Sequence, residues 1–173
     1  MSRFKAMAFL VILLIANSAS AVIVDQQDDY FAIQFESTFA MSVKDLNAHI
    51  FQIGEWWDPA HTYTGDSNNL YIDLEKECFC ERLPGGGYVN HLSLVYYQPG
   101  VLLRFVGGLG PLQSIPVNGV MEFRFKRLDD KQTQLNVSYL VSGNSPGLKD
   151  WAGPVHWVIQ QQLNRLASQV EKK

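Results

Sequence analysis

Apolar and polar residues alternate along several stretches of the chain, which predicts strands that bury one side and expose the other. Residues 30–41 carry Phe, Ile and Met at alternate positions, and residues 121–126 and 134–141 repeat the pattern with charged and amide partners. Further strand-like runs, separated by Pro-Gly turns, cover residues 70–83, 88–97 and 101–106. One-sided alternation is typical of an antiparallel sheet with one solvated face.

Two segments have helical periodicity instead. Ser42, followed three residues later by Asp45, predicts a capped helix that ends near Gly54. Apolar residues recur every three or four positions from Leu148 to Val170, which predicts a long C-terminal helix that is kinked or begun by Pro154. The resulting order is a strand, a helix, a loop, about five strands and a long helix. This order predicts an α+β fold with its helices on one face of the sheet.

The N-terminus has the three parts of a secretory signal peptide. Arg3 and Lys5 precede an apolar run of 11 residues, and a small-residue segment then ends in an A-x-A pattern at Ala21. A membrane anchor would need roughly 20 apolar residues. We therefore expect residues 1–21 to be cleaved and residues 22–173 to form one exported domain, periplasmic or secreted, with no stable membrane insertion after cleavage.

Charge limits the partners that this chain would bind. The protein has 14 basic and 17 acidic residues, and two of the basic residues lie in the expected signal peptide. There is no cluster of basic residues in the remainder. This distribution argues against nucleic acid and anionic membranes as partners.

The two cysteines, Cys78 and Cys80, have an i to i+2 spacing. In a regular strand their Cα atoms would lie roughly 6.5–7 Å apart, at or beyond the limit for a disulfide. We therefore expect free, buried thiols. If Leu83 pairs with Tyr88, Cys80 lies opposite His91, an arrangement that could hold a soft metal. We prefer small buried apolar side chains near a hydrogen-bonded His91, and expect no metal and no cofactor; the sheet face that His91 occupies stays open.

Other side chains are candidates for a binding site. Trp57, His61 and Tyr63 could form the aromatic rim of a site, or could pin a loop by packing and hydrogen bonds. Arg104 could meet an anionic ligand head, or could lie at the surface with its stem on the sheet. Glu81, opposite Asn90, could act as a general base, although a cross-strand surface pair is the preferred interpretation. No catalytic residue is assigned, because the common nucleophile, zinc and phosphate-binding motifs are absent from the sequence.

Three stretches carry a resemblance to a known family. They are WWDPAHTY at Trp56–Tyr63, CFCERLPGGG at Cys78–Gly87 and GLGPLQ at Gly108–Gln113. Together with the order of elements, they resemble the START-like superfamily, also called SRPBCC, over residues 30–166, and in particular an exported, polyketide-cyclase-like bacterial subgroup. The resemblance implies a helix-grip fold, in which a curved antiparallel sheet wraps around a long C-terminal helix and encloses a deep cavity.

The superfamily includes lipid carriers, polyketide cyclases, hormone receptors and chaperone activators, so the fold alone does not define the function. We expect an exported carrier for an apolar or amphipathic small molecule. The alternatives are a cyclase- or hydratase-like enzyme that uses the same cavity and an envelope module that binds a protein partner, whose identity the sequence does not indicate. The expected ligand-binding residues are Trp57, His61, Tyr63, Phe79, His91, Tyr96, Arg104, Leu109 and Trp157.

Overall fold

The computed structural model describes residues 20–170, and within them eight strands form one curved antiparallel sheet. The strands lie in the order β1-β2-β8-β7-β6-β5-β4-β3. Their bounds are β1 Ser20–Gln27, β2 Tyr30–Phe39, β3 Leu70–Asp73, β4 Cys78–Arg82, β5 Tyr88–Gln98, β6 Leu102–Val106, β7 Val117–Arg127 and β8 Thr133–Gly143. The helices are α1 Val43–Phe51, α2 Ile53–Trp56 and α3 Ala152–Val170. The predicted α+β class is confirmed, and the architecture is consistent with a helix-grip fold.

Strand β1 was not predicted from the sequence. It pairs with β2 from Ser20 to Gln27, with a register shift between Ile23 and Asp25. Ser20 and Ala21, which would be removed by the expected cleavage, are the first two residues of this strand. The rest of the expected signal peptide lies outside the described residues. Between residues 20 and 170, no helix is both long and apolar enough to cross a membrane.

The start of α1 follows the sequence prediction. The Ser42 hydroxyl accepts a hydrogen bond from the Asp45 amide at 3.2 Å, which satisfies one of the free N–H groups of the first turn. Leu46 and Ile50 are fully buried on the inner side of the helix. The helix ends at Phe51, and the chain continues into the short α2, where Gly54 lies so close to the Ser67 carbonyl that a Cβ would be 2.8 Å from its oxygen.

Helix α3 closes the core against the inner face of the sheet. Ile159, Leu163 and Leu166 are buried and form one apolar cluster with Phe31 and Ile33 of β2. Pro154 is the third residue of α3 and lies in the first turn, where backbone N–H groups have no partner within the helix, so it does not break the helix. This packing sets the first turns of α3 beside the loop that follows α2.

The β4–β5 pair corrects two predictions. Cys78 and Cys80 form a disulfide with their Cα atoms 5.5 Å apart, so the expectation of free thiols was wrong. That expectation assumed a regular strand, whereas the register of β4 against β5 shifts between Phe79 and Cys80. Cys78 faces Ser93 as predicted, but Cys80 faces Asn90 and not His91.

The shift also moves the start of the hairpin. Arg82, and not Leu83, is paired with Tyr88, and the Leu83 amide closes the turn by donating to the Gly87 carbonyl at 2.8 Å. Because both sulfurs are oxidised, neither offers a thiolate to a metal. Within residues 20–170, no group of three or more His, Cys, Asp or Glu side chains is placed to hold a metal ion.

Candidate ligand-binding site

A cavity of about 380 Å³ lies between the first turns of α3, the loop after α2 and the loop after β6. Its wall is mainly apolar and aromatic, with two imidazoles as its main polar side chains. The residues that line it are Trp57, Ala60, His61, Thr62, Tyr63, His91, Leu109, Gly110, Pro111, Trp151, Pro154, Val155, Val158 and Ile159. Among the described residues, the lining contains no Lys, Arg, Asp or Glu.

A buried carboxylate lies directly behind one of these imidazoles. Glu81 is completely buried, and its Oε2 lies 2.9 Å from Nε2 of His91. The same carboxylate accepts the backbone amides of Tyr63 at 3.0 Å and Thr64 at 2.7 Å. Three donors therefore meet one carboxylate at the end of the cavity where β4 and β5 pair.

The protonation states of this pair follow from its surroundings. Burial alone would raise the pKa of Glu81, but the hydrogen bonds from Thr64, Tyr63 and His91 outweigh it and lower that pKa below 4.5. Burial lowers the pKa of His91 below 6.5, although the Glu81 carboxylate acts in the opposite direction. At neutral pH the pair is therefore a carboxylate beside a neutral imidazole.

The register shift explains why both groups face inward. Glu81 has the same parity as Phe79, whose ring belongs to the core, so the two side chains share the inner face of β4. On β5 both His91 and Leu92 are buried, because the shift leaves His91 without a direct partner on β4. The open question of the face of His91 is thus settled in favour of the inner face.

The expected surface pairing of Glu81 with Asn90 was wrong. Glu81 lies opposite Val89 in the ladder and is buried against His91, because the shifted register moves the partners on β5 by one position. The ring of Phe79 stacks on the imidazole of His91, with centroids 4.8 Å apart. Phe79 therefore supports His91 from behind and does not line the cavity itself.

The second imidazole, His61, is held by a buried glutamine. Gln162 of α3 accepts the Asp58 amide through Oε1 at 2.7 Å, which leaves its Nε2 to meet Nδ1 of His61 at 3.1 Å. A glutamine nitrogen can only donate, so Nδ1 of a neutral His61 accepts and its Nε2 carries the proton. This bond also ties the loop after α2 to the helix that forms the opposite wall.

Trp57 fixes the shape of the same loop. Its indole N–H donates to the His61 carbonyl at 3.0 Å, and its ring packs against Phe79 with centroids 5.3 Å apart. Asp58 caps the short turn Pro59–His61 by accepting the Ala60 amide at 2.9 Å. The two interpretations of Trp57 are therefore compatible, because the same buried ring pins the loop and lines the cavity.

Tyr63 and the glycine-rich loop of residues 107–110, which follows β6, meet at the cavity. Tyr63 is 56% exposed, and its hydroxyl donates to the Gly110 carbonyl at 3.5 Å. The loop itself is anchored by Tyr139, whose hydroxyl accepts the Leu109 amide and donates to the Gly107 carbonyl, both at 2.9 Å. Burial raises the pKa of Tyr139 to about 12, so this anchor stays protonated.

The structure brings some of the expected ligand-binding residues together and separates others. Trp57, His61, Tyr63, His91 and Leu109 line the cavity. Trp157 is 57% exposed on α3, with its ring centroid 5.9 Å from that of His61, and so lies beside the site without lining it.

Tyr96 and Arg104 lie on the outer face of the sheet, away from the cavity. They are paired across β5 and β6, and the guanidinium of Arg104 lies 5.6 Å from the Tyr96 ring centroid. Arg104 also donates to Glu122 at 2.6 Å. The surface alternative therefore describes Arg104, and the structure does not bring either residue to an apolar ligand site.

Two polar residues that organise the cavity were not predicted correctly from the sequence: Gln162 was missed, and Glu81 was assigned to the surface. Gln162 lies among polar neighbours in the helix and shares the buried stripe with Ile159 and Leu166. Its burial could have been predicted from the sequence, because it lies three residues after Ile159 and therefore on the buried face of α3. Glu81 carried a clearer signal, since a charge at the inward parity of Phe79 requires a buried partner.

The chain matches no family model and no curated protein. Solved structures with the same fold include a conserved protein of unknown function from Enterococcus faecalis, with 15% identity and a TM-score of 0.58 over 90% of this chain and 77% of that one. CalU16 from Micromonospora echinospora shares 12% identity with a TM-score of 0.58, over 90% and 86% of the two chains. A Mesorhizobium loti protein shares 15% identity with a TM-score of 0.56, over 82% and 98%. At these identities, the likeness defines the fold class alone: an antiparallel sheet with a C-terminal helix.

Proposed function

We propose that this chain is an exported binding or carrier protein that holds an apolar or amphipathic small molecule in the cavity beside α3. We place it in the START-like (SRPBCC) superfamily, near the polyketide-cyclase-like members, and in the periplasm or outside the cell. The observation that carries the proposal is the cavity of about 380 Å³ with an aromatic and aliphatic wall. Small-molecule sites are typically concave, mostly apolar and supplied with a few fixed polar groups.

The energetics of the wall favour an apolar ligand. Each Å² of apolar surface removed from water contributes about 25 cal/mol before the costs of association. The loops around the cavity are held by Gln162, Trp57 and Tyr139, so little ordering remains to oppose binding. A larger hollow of about 530 Å³ over Glu122 and Arg124 has a wall with a much greater polar share, which includes these two charged side chains.

Two features support export. The N-terminal sequence has the layout of a secretory signal, and the Cys78–Cys80 disulfide is of the kind that persists in oxidising compartments. N-terminal sequencing of protein recovered from the periplasm tests this part. A chain beginning at Val22 is the expected result, and a retained N-terminus in the cytoplasmic fraction would contradict it.

The binding part is tested with N-phenyl-1-naphthylamine, a neutral apolar dye whose emission rises in apolar surroundings. We expect saturable binding to the wild type. A Val158→Trp variant should abolish it, because Val158 lines the cavity and the larger ring would fill the space. Val95→Trp, at an exposed site on β5, is the matched control and should bind as the wild type does. Equal binding by all three proteins would show that the dye, and hence the proposed site, is not in this cavity.

The Glu81–His91 pair also favours a second candidate function, a cyclase- or hydratase-like enzyme. A neutral imidazole whose Nε2 is held by a carboxylate can accept a proton at Nδ1, as general bases do. Native mass spectrometry of the protein purified from its own periplasm would provide the ligand for a test. Turnover of that ligand, lost in His91→Gln while the mass of the complex persists, would establish the enzyme; binding without turnover would leave the carrier.

A further inference from the structure

We propose that the Glu81–His91 pair makes the cavity selective for neutral ligands that present a hydroxyl or N–H donor to Nδ1 of His91, and that it rejects carboxylates. This inference rests on the proposed function, since it names the ligand class of the same cavity. It goes further because it assigns the donor role in this hydrogen bond to the polar end of the ligand.

The sense of the hydrogen bond follows from the contacts of Glu81. The ionised carboxylate can only accept, and it already accepts the amides of Tyr63 and Thr64. The 2.9 Å contact with His91 must therefore be donated by Nε2–H. A neutral imidazole has one N–H, so Nδ1 is left with a lone pair. Within residues 20–170, Nδ1 has no hydrogen-bond partner.

The surroundings of His91 restrict how a ligand can meet it. Phe79 stacks on the imidazole, and the ring of Tyr63 lies 5.7 Å from it in a tilted orientation. The imidazole is only 4% exposed, and that small fraction belongs to the cavity wall. A ligand therefore finds an edge of the ring and not an open face, which favours a directional hydrogen bond over stacking.

The same geometry disfavours an anionic ligand. A carboxylate would bring its lone pairs against that of Nδ1, with the buried charge of Glu81 on the other side of the ring. Within the described chain, no lysine or arginine lines the cavity to compensate for the lost hydration of the anion. Protonation of His91 could provide a compensating charge, but burial of the ring opposes it.

Four probes with one ring system test the inference: naphthalene, 2-naphthol, 2-methoxynaphthalene and 2-naphthoate. At neutral pH we expect 2-naphthol to bind the wild type about tenfold more tightly than 2-methoxynaphthalene, which has the same oxygen but no donor. Naphthalene should resemble the methoxy compound, and 2-naphthoate should bind most weakly. Affinities are measured by competition with N-phenyl-1-naphthylamine.

Two variants assign the preference to His91. His91→Phe keeps a ring to stack on Phe79 but removes Nδ1, so the ratio of 2-naphthol to 2-methoxynaphthalene affinity should fall to about one. Tyr96→Phe, on the outer face, is the control and should keep the wild-type ratio. If His91→Phe fails to fold, the wild-type series and the nitrogen NMR shift of Nδ1 on adding 2-naphthol remain decisive.

The outcomes separate this inference from the proposed function. Equal binding of the three neutral probes, with all binding lost in Val158→Trp, would overturn the inference and leave the carrier proposal standing. Tightest binding of 2-naphthoate, or a naphthol preference that persists in His91→Phe, would also overturn it. Failure of every probe, or binding unaffected by Val158→Trp, would overturn both.

Discussion

Two carboxylates on opposite faces of the same sheet meet nitrogen donors in opposite environments. On the inner face, buried Glu81 holds two backbone amides and a neutral imidazole. On the outer face, Glu122 meets Arg104 at 2.6 Å and Arg124 at 2.8 Å, and both guanidinium side chains are more than one third exposed. Water can replace the partners of Glu122, whereas Glu81 and the imidazole of His91 are both buried.

Both carboxyl groups have lowered pKa values for partly different reasons. Burial alone would raise each pKa; hydrogen bonds from neutral donors overcome this effect at Glu81, and two arginines overcome it at Glu122. The inner carboxylate therefore keeps its charge through two backbone amides and a neutral imidazole, whereas the outer one keeps it through two partly exposed guanidinium groups. We therefore expect changes at the buried Glu81–His91 pair to affect the stability of the fold more than changes at the Glu122 ion pairs.

The largest expected effect is that of Glu81→Ala. This change would leave the amides of Tyr63 and Thr64 and Nε2 of His91 without an acceptor, and each buried unsatisfied donor costs about 1–3 kcal/mol. We expect the free energy of unfolding to fall by about 3 kcal/mol or more, measured by urea denaturation. A loss below about 1 kcal/mol would mean that water reaches these donors.

Tyr139→Phe should have the next largest effect, because it removes one hydroxyl that makes two buried hydrogen bonds. The Leu109 amide would lose its acceptor and the Gly107 carbonyl its donor. We expect a loss of about 1–3 kcal/mol in the free energy of unfolding. Weaker binding of N-phenyl-1-naphthylamine should accompany this loss, since the same bonds hold the loop that places Leu109 in the cavity wall. Unchanged stability would show that the loop is held by other contacts.

Acidification should lower the free energy of unfolding through the Glu81–His91 pair on the inner face. The folded chain lowers the pKa of His91 below 6.5, so as pH falls below 6.5 the unfolded chain binds a proton that the folded chain does not. Stability should therefore decrease with acid, and decrease again as Glu81 is protonated below 4.5. Urea denaturation at a series of pH values checks this sign. In His91→Gln the first decrease should be smaller; an identical profile would assign it to another group.

The smallest expected effect is that of Glu122→Gln. Exposed ion pairs contribute about 0–1 kcal/mol, and this pair is shared between two arginines that water can hydrate. The free energy of unfolding should change by less than about 1 kcal/mol, and the difference from the wild type should shrink at high salt. A larger, salt-independent loss would mean that the outer face is as structurally demanding as the inner one.

The regular parts of the fold could be predicted from the sequence, because buried side chains recur at a constant spacing along each strand or helix. Strands β7 and β8 pair without a shift from Val117 to Arg127, and their alternation appears directly in the sequence. The buried stripe of α3 follows its spacing of three and four residues in the same way. The capped start of α1 was predictable because Ser42 and Asp45 interact locally.

The candidate site was harder to predict because it lies where the regular pairing of β4 with β5 is interrupted. The shift between Phe79 and Cys80 invalidated the pairing of Cys80 with His91 and the predicted surface position of Glu81. The sequence left Arg104 either at an anionic ligand head or at the surface, and its cross-strand partner Glu122 determines which of the two applies. Such contacts depend on neighbouring strands, which the sequence of one strand does not specify.

The aromatic wall has an optical consequence. All four tryptophans of the chain lie at or beside the cavity: Trp57 and Trp151 line it, Trp56 packs on Trp57, and Trp157 lies beside His61. The intrinsic ultraviolet emission of the protein therefore originates almost entirely from one small region. A ligand that enters the cavity would shift the wavelength of this tryptophan fluorescence or quench it. Binding could therefore be followed on the unlabelled protein.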